Sequence, residues 1–127
     1  MFVETKREGE LAVPLQPWRR VLWNAADYIE KHGHVKGWRQ SERGAVCLHG
    51  ALAMMTIGHA SGGNERDDST DYGRACMLIR DYLRSRGVPK DEAAEGGCAG
   101  WNNAKERTAQ EVINALREAA CWSNVGG

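Results

Sequence analysis

The sequence predicts an all-α protein, a compact bundle of about four main helices with a central apolar helix. Three observations predict this fold. Apolar residues recur every three or four positions in three segments, a fourth segment is apolar on nearly every side, and no segment alternates as a strand would. The length of 127 residues suits one core, and a hydrophobic fraction of 42% excludes a wholly disordered chain.

The expected domain boundaries follow from where these patterns begin and end. Residues 1–16 show no sustained period and contain Pro14, so we expect an extended or loosely ordered N-terminal arm. Residues 17–122 are expected to form a single helical domain. The glycine-ended residues 123–127 are expected to be a flexible tail.

The first predicted helix has one buried face, and the second is expected at the centre of the bundle. The first begins near Pro17, a residue tolerated in a first turn, and stops before Gly33, where a left-handed end is expected. Trp23 lies off its buried stripe, which consists of Trp18, Val21, Leu22, Ala25 and Ile29. The second helix, from about Glu42 to His59, is apolar all round, which predicts the central position.

The remaining helices are predicted from a loop, a stop signal and a cap. A polar loop over 61–70 precedes the third helix, which ends at Gly87, and 89–95 adds one short helical turn. The glycine-rich stretch 96–100 is expected to be flexible or tightly turned. The last helix begins at Thr108, because Thr108 and Glu111 have the spacing of a capping box.

Composition and charge limit where the protein works and what it binds. The 17 basic and 17 acidic side chains give a net charge of zero, which argues against a polycation acting on nucleic acid or anionic lipid. No apolar run is long enough to span a membrane, and the charged residues 1–10 contain no signal-peptide core. We therefore expect a cytoplasmic protein whose four cysteines, which form no C-x-x-C pair, are free thiols.

Three local patterns together resemble a known family. They are A-A-D-Y-I-E-K-H-G at 25–33, C-L-H-G-A-L at 47–52, and W-N-N at 101–103 followed by R-T, E-V and A-A between 107 and 120. This combination resembles a family of small proteins of unknown function from actinobacteria and their bacteriophages. Asn103 departs from the Trp-Asn-Asp usual in that family. The resemblance implies a helical fold and a phage or prophage setting, and it implies no activity.

The residues capable of metal binding or catalysis do not form a coherent set. The side chains that zinc would accept are His32, His34, Cys47, His49 and His59. Structural zinc sites use two pairs of closely spaced ligands, whereas the spacings between these residues are irregular. Gly96-x-Cys98-x-Gly100 has the outline of a nucleophile elbow without the strand that must precede one. We therefore predict no catalytic residue, no metal and no cofactor.

Tryptophan supplies five of the nine aromatic residues; loop tryptophans that fold back over a small core account for this excess, and a partner surface or ligand pocket is the functional alternative. The asparagines of Trp101-Asn102-Asn103 offer donors and acceptors beside an aromatic wall, so these residues, with Trp38 and Cys47, are the candidate binding surface. The leading hypothesis is a small non-enzymatic binding or accessory protein that acts through contact with a protein partner, which includes a second copy of itself.

Two alternatives belong to other functional classes. A nucleic-acid-binding regulator would use the basic faces of Arg19–Arg43 and Arg74–Lys90, with Trp38 stacking on a base. A small cysteine-dependent enzyme would bring Cys47 or Cys98 to His49 or His59 in a pocket, with a reactive thiol.

Overall fold

The computed structural model describes residues 16–37, 40–41, 43–60, 63–95 and 97–122. The predicted arm, except for Gln16, and the predicted tail lie outside these ranges. Within these ranges five helices run in the order α1 (Pro17–His32), α2 (Leu48–Thr56), α3 (Asp71–Ser85), α4 (Ala99–Asn102) and α5 (Ala109–Cys121). Over the described ranges β-structure is limited to isolated bridges. The predicted all-α fold is confirmed, with four longer helices and one short one.

Local signals account for the helix ends. Pro17 occupies the first turn of α1, and Gly33 ends that helix at a φ of 97° while its N–H donates to the carbonyl oxygen of Ile29. The hydroxyl of Thr70 accepts the N–H of Gly73 at the start of α3. At the start of α5, Thr108 and Glu111 form the predicted capping box.

The core lies where α1 and α2 meet the other helices. Helix α1 packs against α2, α3 and α5, and helix α2 packs against α1, α3 and α4. All six residues of 48–53 are buried, which confirms an apolar helix in the middle of the bundle. Because α1 also contacts three helices, Trp23, placed off its buried stripe by the sequence, is only 3% exposed.

The predicted limits of the second helix were too wide. The helix starts at Leu48 rather than near 42 and ends at Thr56 rather than at 59. The backbone of Val46 instead accepts from the N–H of Val35 and donates to the carbonyl of Gly33, each at 3.1 Å. These bonds tie the chain before α2 to the chain after α1, so that Val46 is buried without being helical. Similarly, α4 begins at Ala99, within the stretch 96–100 that the sequence predicted to be flexible or tightly turned.

The connector between α2 and α3 is held firmly against α3. The carboxylate of Asp67 accepts the N–H of Ser69 at 3.0 Å and its hydroxyl at 2.6 Å, and these bonds lower the pKa of Asp67. A Cβ on Gly73 would lie 1.9 Å from the carbonyl oxygen of Asp67, so only glycine lets the connector backbone rest on the first turn of α3. The result is a fixed wall beside the end of α2.

Candidate functional site

Asn102, one of the predicted binding residues, joins three parts of the fold through its side-chain amide. Its Oδ1 accepts the N–H of Leu48 at 3.1 Å and lies 2.6 Å from Nε2 of His34. Its Nδ2 donates to the carbonyl of Val35 at 3.4 Å and to Oδ1 of Asn103 at 2.9 Å. Both amide atoms therefore make the bonds they are able to make, in a residue that is 2% exposed.

Trp101 packs into the core and is covered by an arginine. It is 5% exposed, and the guanidinium of Arg107 lies 4.1 Å from the centre of its ring. Arg107 also donates to the carbonyl of Trp101 at 3.0 Å and pairs with Glu111 at 3.1 Å. This arrangement ties α4 to the first turn of α5.

The other members of the predicted binding surface lie around Asn102. Asn103 is exposed, and its Oδ1 accepts the N–H of Gly37 at 2.8 Å. Cys47 is half-buried at the start of α2, where its sulfur accepts the N–H of Gly50 at 3.3 Å. Trp38 lies outside the described residues. The structure thus brings four of the five residues into one region, where Asn103 is the exposed one, and the binding surface stays a prediction.

His49 is buried between a backbone amide and a thiol. Its Nε2 accepts the N–H of Cys98 at 2.7 Å, and its Nδ1 lies 3.4 Å from Sγ of Cys76. Since Nε2 holds the lone pair in this arrangement, the neutral ring carries its proton on Nδ1 and donates it toward sulfur. Because Nδ1 carries the proton, His49 cannot act as a base that takes the proton of the Cys76 thiol. Cys76 is also a cysteine that the sequence did not pair with His49.

Burial also reduces the reactivity of the Cys98 thiol. Its side chain is inaccessible, and burial raises the pKa of Cys98 to about 12, although Arg80 and Arg84 oppose the shift. A thiol with so high a pKa carries almost no thiolate at neutral pH. All four cysteines, each within the described part of the chain, are thiols rather than disulfides.

The different burial of the cysteines predicts an order of alkylation. Cys121 is exposed and Cys47 half-buried, whereas Cys76 and Cys98 are buried. With iodoacetamide at neutral pH we expect Cys121 and Cys47 to react at least roughly tenfold faster than the buried pair. Peptide mass spectrometry over time measures this order, with urea-unfolded protein as the control in which the four rates converge. Early modification of Cys76 or Cys98 would contradict it and strengthen the case for a cysteine-dependent enzyme.

Several arginines predicted to form basic faces make contacts within the fold. Arg19 donates to the carbonyls of Ala120 and Trp122 at the end of α5. On α3 and just after it, each of the following arginines has a local partner: Arg74 with the carbonyl of Asp68, Arg80 with Asp81, Arg84 with the carbonyl of Ala93, and Arg86 with Tyr82 and Glu118. These contacts hold each guanidinium against its own partner in the fold. Whether the arginines together bind nucleic acid stays a prediction.

The described residues form neither a cluster of metal ligands nor a helix that could span a membrane. Within the ranges given above, no three His, Cys, Asp or Glu side chains gather as metal ligands. None of the helices in those ranges has both the length and the apolar character needed to cross a bilayer.

A groove with apolar and polar lining residues lies between the end of α2 and the start of α3, and we name it the α2–α3 groove. Its volume is about 430 Å³, and its lining consists of Val21, Met55, Thr56, Ile57, Gly63, Asn64, Thr70, Asp71 and Tyr72. Ile57 is 43% exposed, and it is the one large hydrophobic side chain exposed in the described part of the chain. A Cβ on Gly63 would lie 2.9 Å from Cδ1 of Ile57 and 3.0 Å from the ring of Tyr72, so the connector passes directly against the groove.

Sequence reasoning missed this groove. Met55 and Ile57 were assigned to an all-round buried helix, because apolar residues at the end of a helix look the same whether or not a neighbour covers them. The available signal was that Ile57 is followed by Gly58 and a polar segment, which leaves little apolar chain to cover it.

Comparison with known proteins gives one result at the level of the family. The sequence pattern of DUF6197, described as a family of unknown function, matches residues 14–121. The chain belongs to this family. The searches of the curated proteins and of the solved structures give no match.

Membership of DUF6197 confirms the resemblance to an uncharacterised family. The match extends over all five helices of the fold. The matched residues include all five helices, the α2–α3 groove and Asn102. The family description assigns no activity, so the function of this DUF6197 protein has to be inferred from the geometry of its own residues.

Proposed function

We propose that this DUF6197 protein is a non-enzymatic binding or accessory domain whose α2–α3 groove receives an apolar side chain of a partner protein. The observation that carries the proposal is Ile57, a large hydrophobic side chain 43% exposed in a concave site of about 430 Å³. Exposed apolar surface set in a depression and rimmed by polar groups is typical of protein-binding sites.

Structural contacts made by the side chains capable of catalysis support the same proposal. His49 and Asn102 make hydrogen bonds inside the fold, and Arg107 covers the ring of Trp101. Residues tied to structural contacts are poorly placed to move protons or to contact a substrate. The proposal keeps the setting that the sequence suggested, namely a cytoplasmic protein of actinobacterial or phage origin.

A cross-linking experiment identifies the partner and tests the groove at once. A photoreactive amino acid is placed at position 57 of the full chain, or at Gln110, an exposed control position on α5, in cells of the source organism. We expect a protein captured from position 57 and not from position 110. That protein is then purified, and its affinity is measured for the wild type, Ile57→Ser and Gln110→Ser.

The proposal predicts that Ile57→Ser weakens binding at least about tenfold, or about 1.4 kcal/mol, while Gln110→Ser binds as the wild type does. Equal affinities of the three proteins would overturn it. Capture of a second copy of the chain, with a wild-type dimer that Ile57→Ser dissociates, would overturn a heterologous partner and assign the groove to self-association.

A further inference from the structure

We propose that the partner segment received by the α2–α3 groove is cationic, an apolar anchor residue flanked by Lys or Arg. This inference rests on the proposed function and adds the chemistry of the partner. It is carried by the carboxylates at the rim. Between 63 and 74 the chain has four acidic residues, Glu65, Asp67, Asp68 and Asp71, against two basic residues, Arg66 and Arg74.

One of these carboxylates lines the groove, and a second is exposed on the connector that leads to it. Asp71 lines the groove itself, and Asp68 is exposed on the connector immediately before it. Of the two basic residues, Arg74 lies beside the rim, where its Nε donates to the carbonyl of Asp68 at 2.7 Å and its guanidinium lies 4.8 Å from the ring centre of Trp18. The acidic residues of this stretch still outnumber the basic ones by two, so a net negative charge stands beside the groove.

The rim keeps its charge and its shape before a partner arrives. Hydrogen bonds from Ser69 lower the pKa of Asp67, so that its carboxylate stays ionised at neutral pH. Thr70 donates its hydroxyl to the carbonyl of Asp67 at 2.9 Å, and Tyr72 donates its hydroxyl to Glu65. A preformed site of this kind loses little conformational entropy on binding.

An apolar floor with acidic residues on one side favours a particular ligand. The apolar side chain gains by leaving water at Val21, Met55 and Ile57, while Lys or Arg beside it meets the carboxylates of the rim. The same rim repels nucleic acid and anionic lipid, which carry negative charge. A basic amphipathic segment of a protein is therefore the occupant that the groove fits.

Three synthetic hexapeptides test the inference on the full-length protein. The first has Leu-Phe between two pairs of lysines, the second has Leu-Phe between two pairs of glutamates, and the third has Ser-Ser between two pairs of lysines. Each is titrated into isotope-labelled protein and followed by amide NMR shifts. We expect the first peptide to shift the amides of Met55, Ile57, Gly63, Asp71 and Tyr72 and to bind roughly tenfold more tightly than the other two.

Two charge variants separate the inference from the proposed function. Asp68→Asn with Asp71→Asn is expected to weaken the first peptide about fivefold and to reduce its salt dependence. The matched control is Asp91→Asn with Glu106→Gln, two exposed carboxylates outside the groove, which should change nothing.

The possible failures have different meanings. If the glutamate peptide binds as well as the lysine peptide and the Asp68/Asp71 variant is silent, the cationic partner is overturned while the apolar groove stands. If the serine peptide binds as well as the first, or if Ile57→Ser has no effect, the apolar anchor and with it the proposed function are overturned.

Discussion

Replacing Asn102 by alanine is expected to lower the free energy of unfolding by about 3 kcal/mol. The change removes the acceptor for the N–H of Leu48 and for Nε2 of His34, and the donor to the carbonyl of Val35. Because Asn102 is 2% exposed, water has little access to replace these bonds, and the buried N–H of Leu48 loses its acceptor. The ties between α4, the start of α2 and the chain after α1 weaken together.

Urea unfolding followed by circular dichroism measures this loss, and the neighbouring asparagine supplies the control. Asn103 is exposed, and its Oδ1 accepts the N–H of Gly37 at 2.8 Å and one N–H of the Asn102 amide at 2.9 Å. Asn103→Ala is therefore expected to cost less than about 1 kcal/mol. Equal stabilities of the Asn102→Ala and Asn103→Ala proteins would show that the buried amide contributes no more than an exposed one.

The helices whose limits depend on local signals were predicted well from the sequence. Pro17, Gly33 and the pair Thr108 and Glu111 act within a few residues of themselves, so their effect can be inferred without the tertiary fold. The start of α2 depends instead on the pairing of Val46 with Gly33 and Val35, a contact that periodicity does not report. That difference explains why α1 and α5 were placed closely and α2 was not.

The residues of the candidate sites show a second limit of sequence reasoning. Trp101, Asn102 and Asn103 stood out by their chemistry, but a tryptophan beside asparagines has the same composition whether it binds a ligand or joins helices. The distances from Asn102 to Leu48 and His34 distinguish the two roles for that residue. The α2–α3 groove depends in turn on the path of the connector past Ile57, which is set by the close approach of Asp67 to Gly73.

Trp23 and Arg117 show why the sequence predicted too narrow a buried face on α1, the helix that packs against α5. Arg117, a charged residue on a helix surface by its sequence, is 2% exposed and lies with its guanidinium carbon 5.8 Å from the ring centre of Trp23. A charged residue is expected to be solvated unless a partner accompanies it into the interior. The partners, Asp27 and Glu30, are about 90 positions away in the sequence, beyond the reach of any local pattern.

Removing the two carboxylate charges that face Arg117 is expected to cost about 2 kcal/mol, in a variant that carries Asp27→Asn and Glu30→Gln. Nη2 of Arg117 lies 2.7 Å from Asp27 and 3.2 Å from Glu30. Burial opposes the charge of Arg117, but the hydrogen bonds to the two carboxylates keep its pKa above the usual value. Without them a buried cation is left uncompensated, although water screens part of the effect because both carboxylates are half-exposed.

Arg117→Met is expected to cost less, about 1 kcal/mol, although it removes the same ion pairs. The two carboxylates then return to water, the methionine fills the apolar part of the site, and the buried Nε of Arg117, which has no hydrogen-bond partner, is no longer present. Adding Arg117→Met to the Asp27/Glu30 variant should therefore restore stability, a gain that urea unfolding of the four proteins measures directly. If the triple variant is instead less stable than the Asp27/Glu30 variant, Arg117 stabilises the α1–α5 interface by packing rather than by its paired charge.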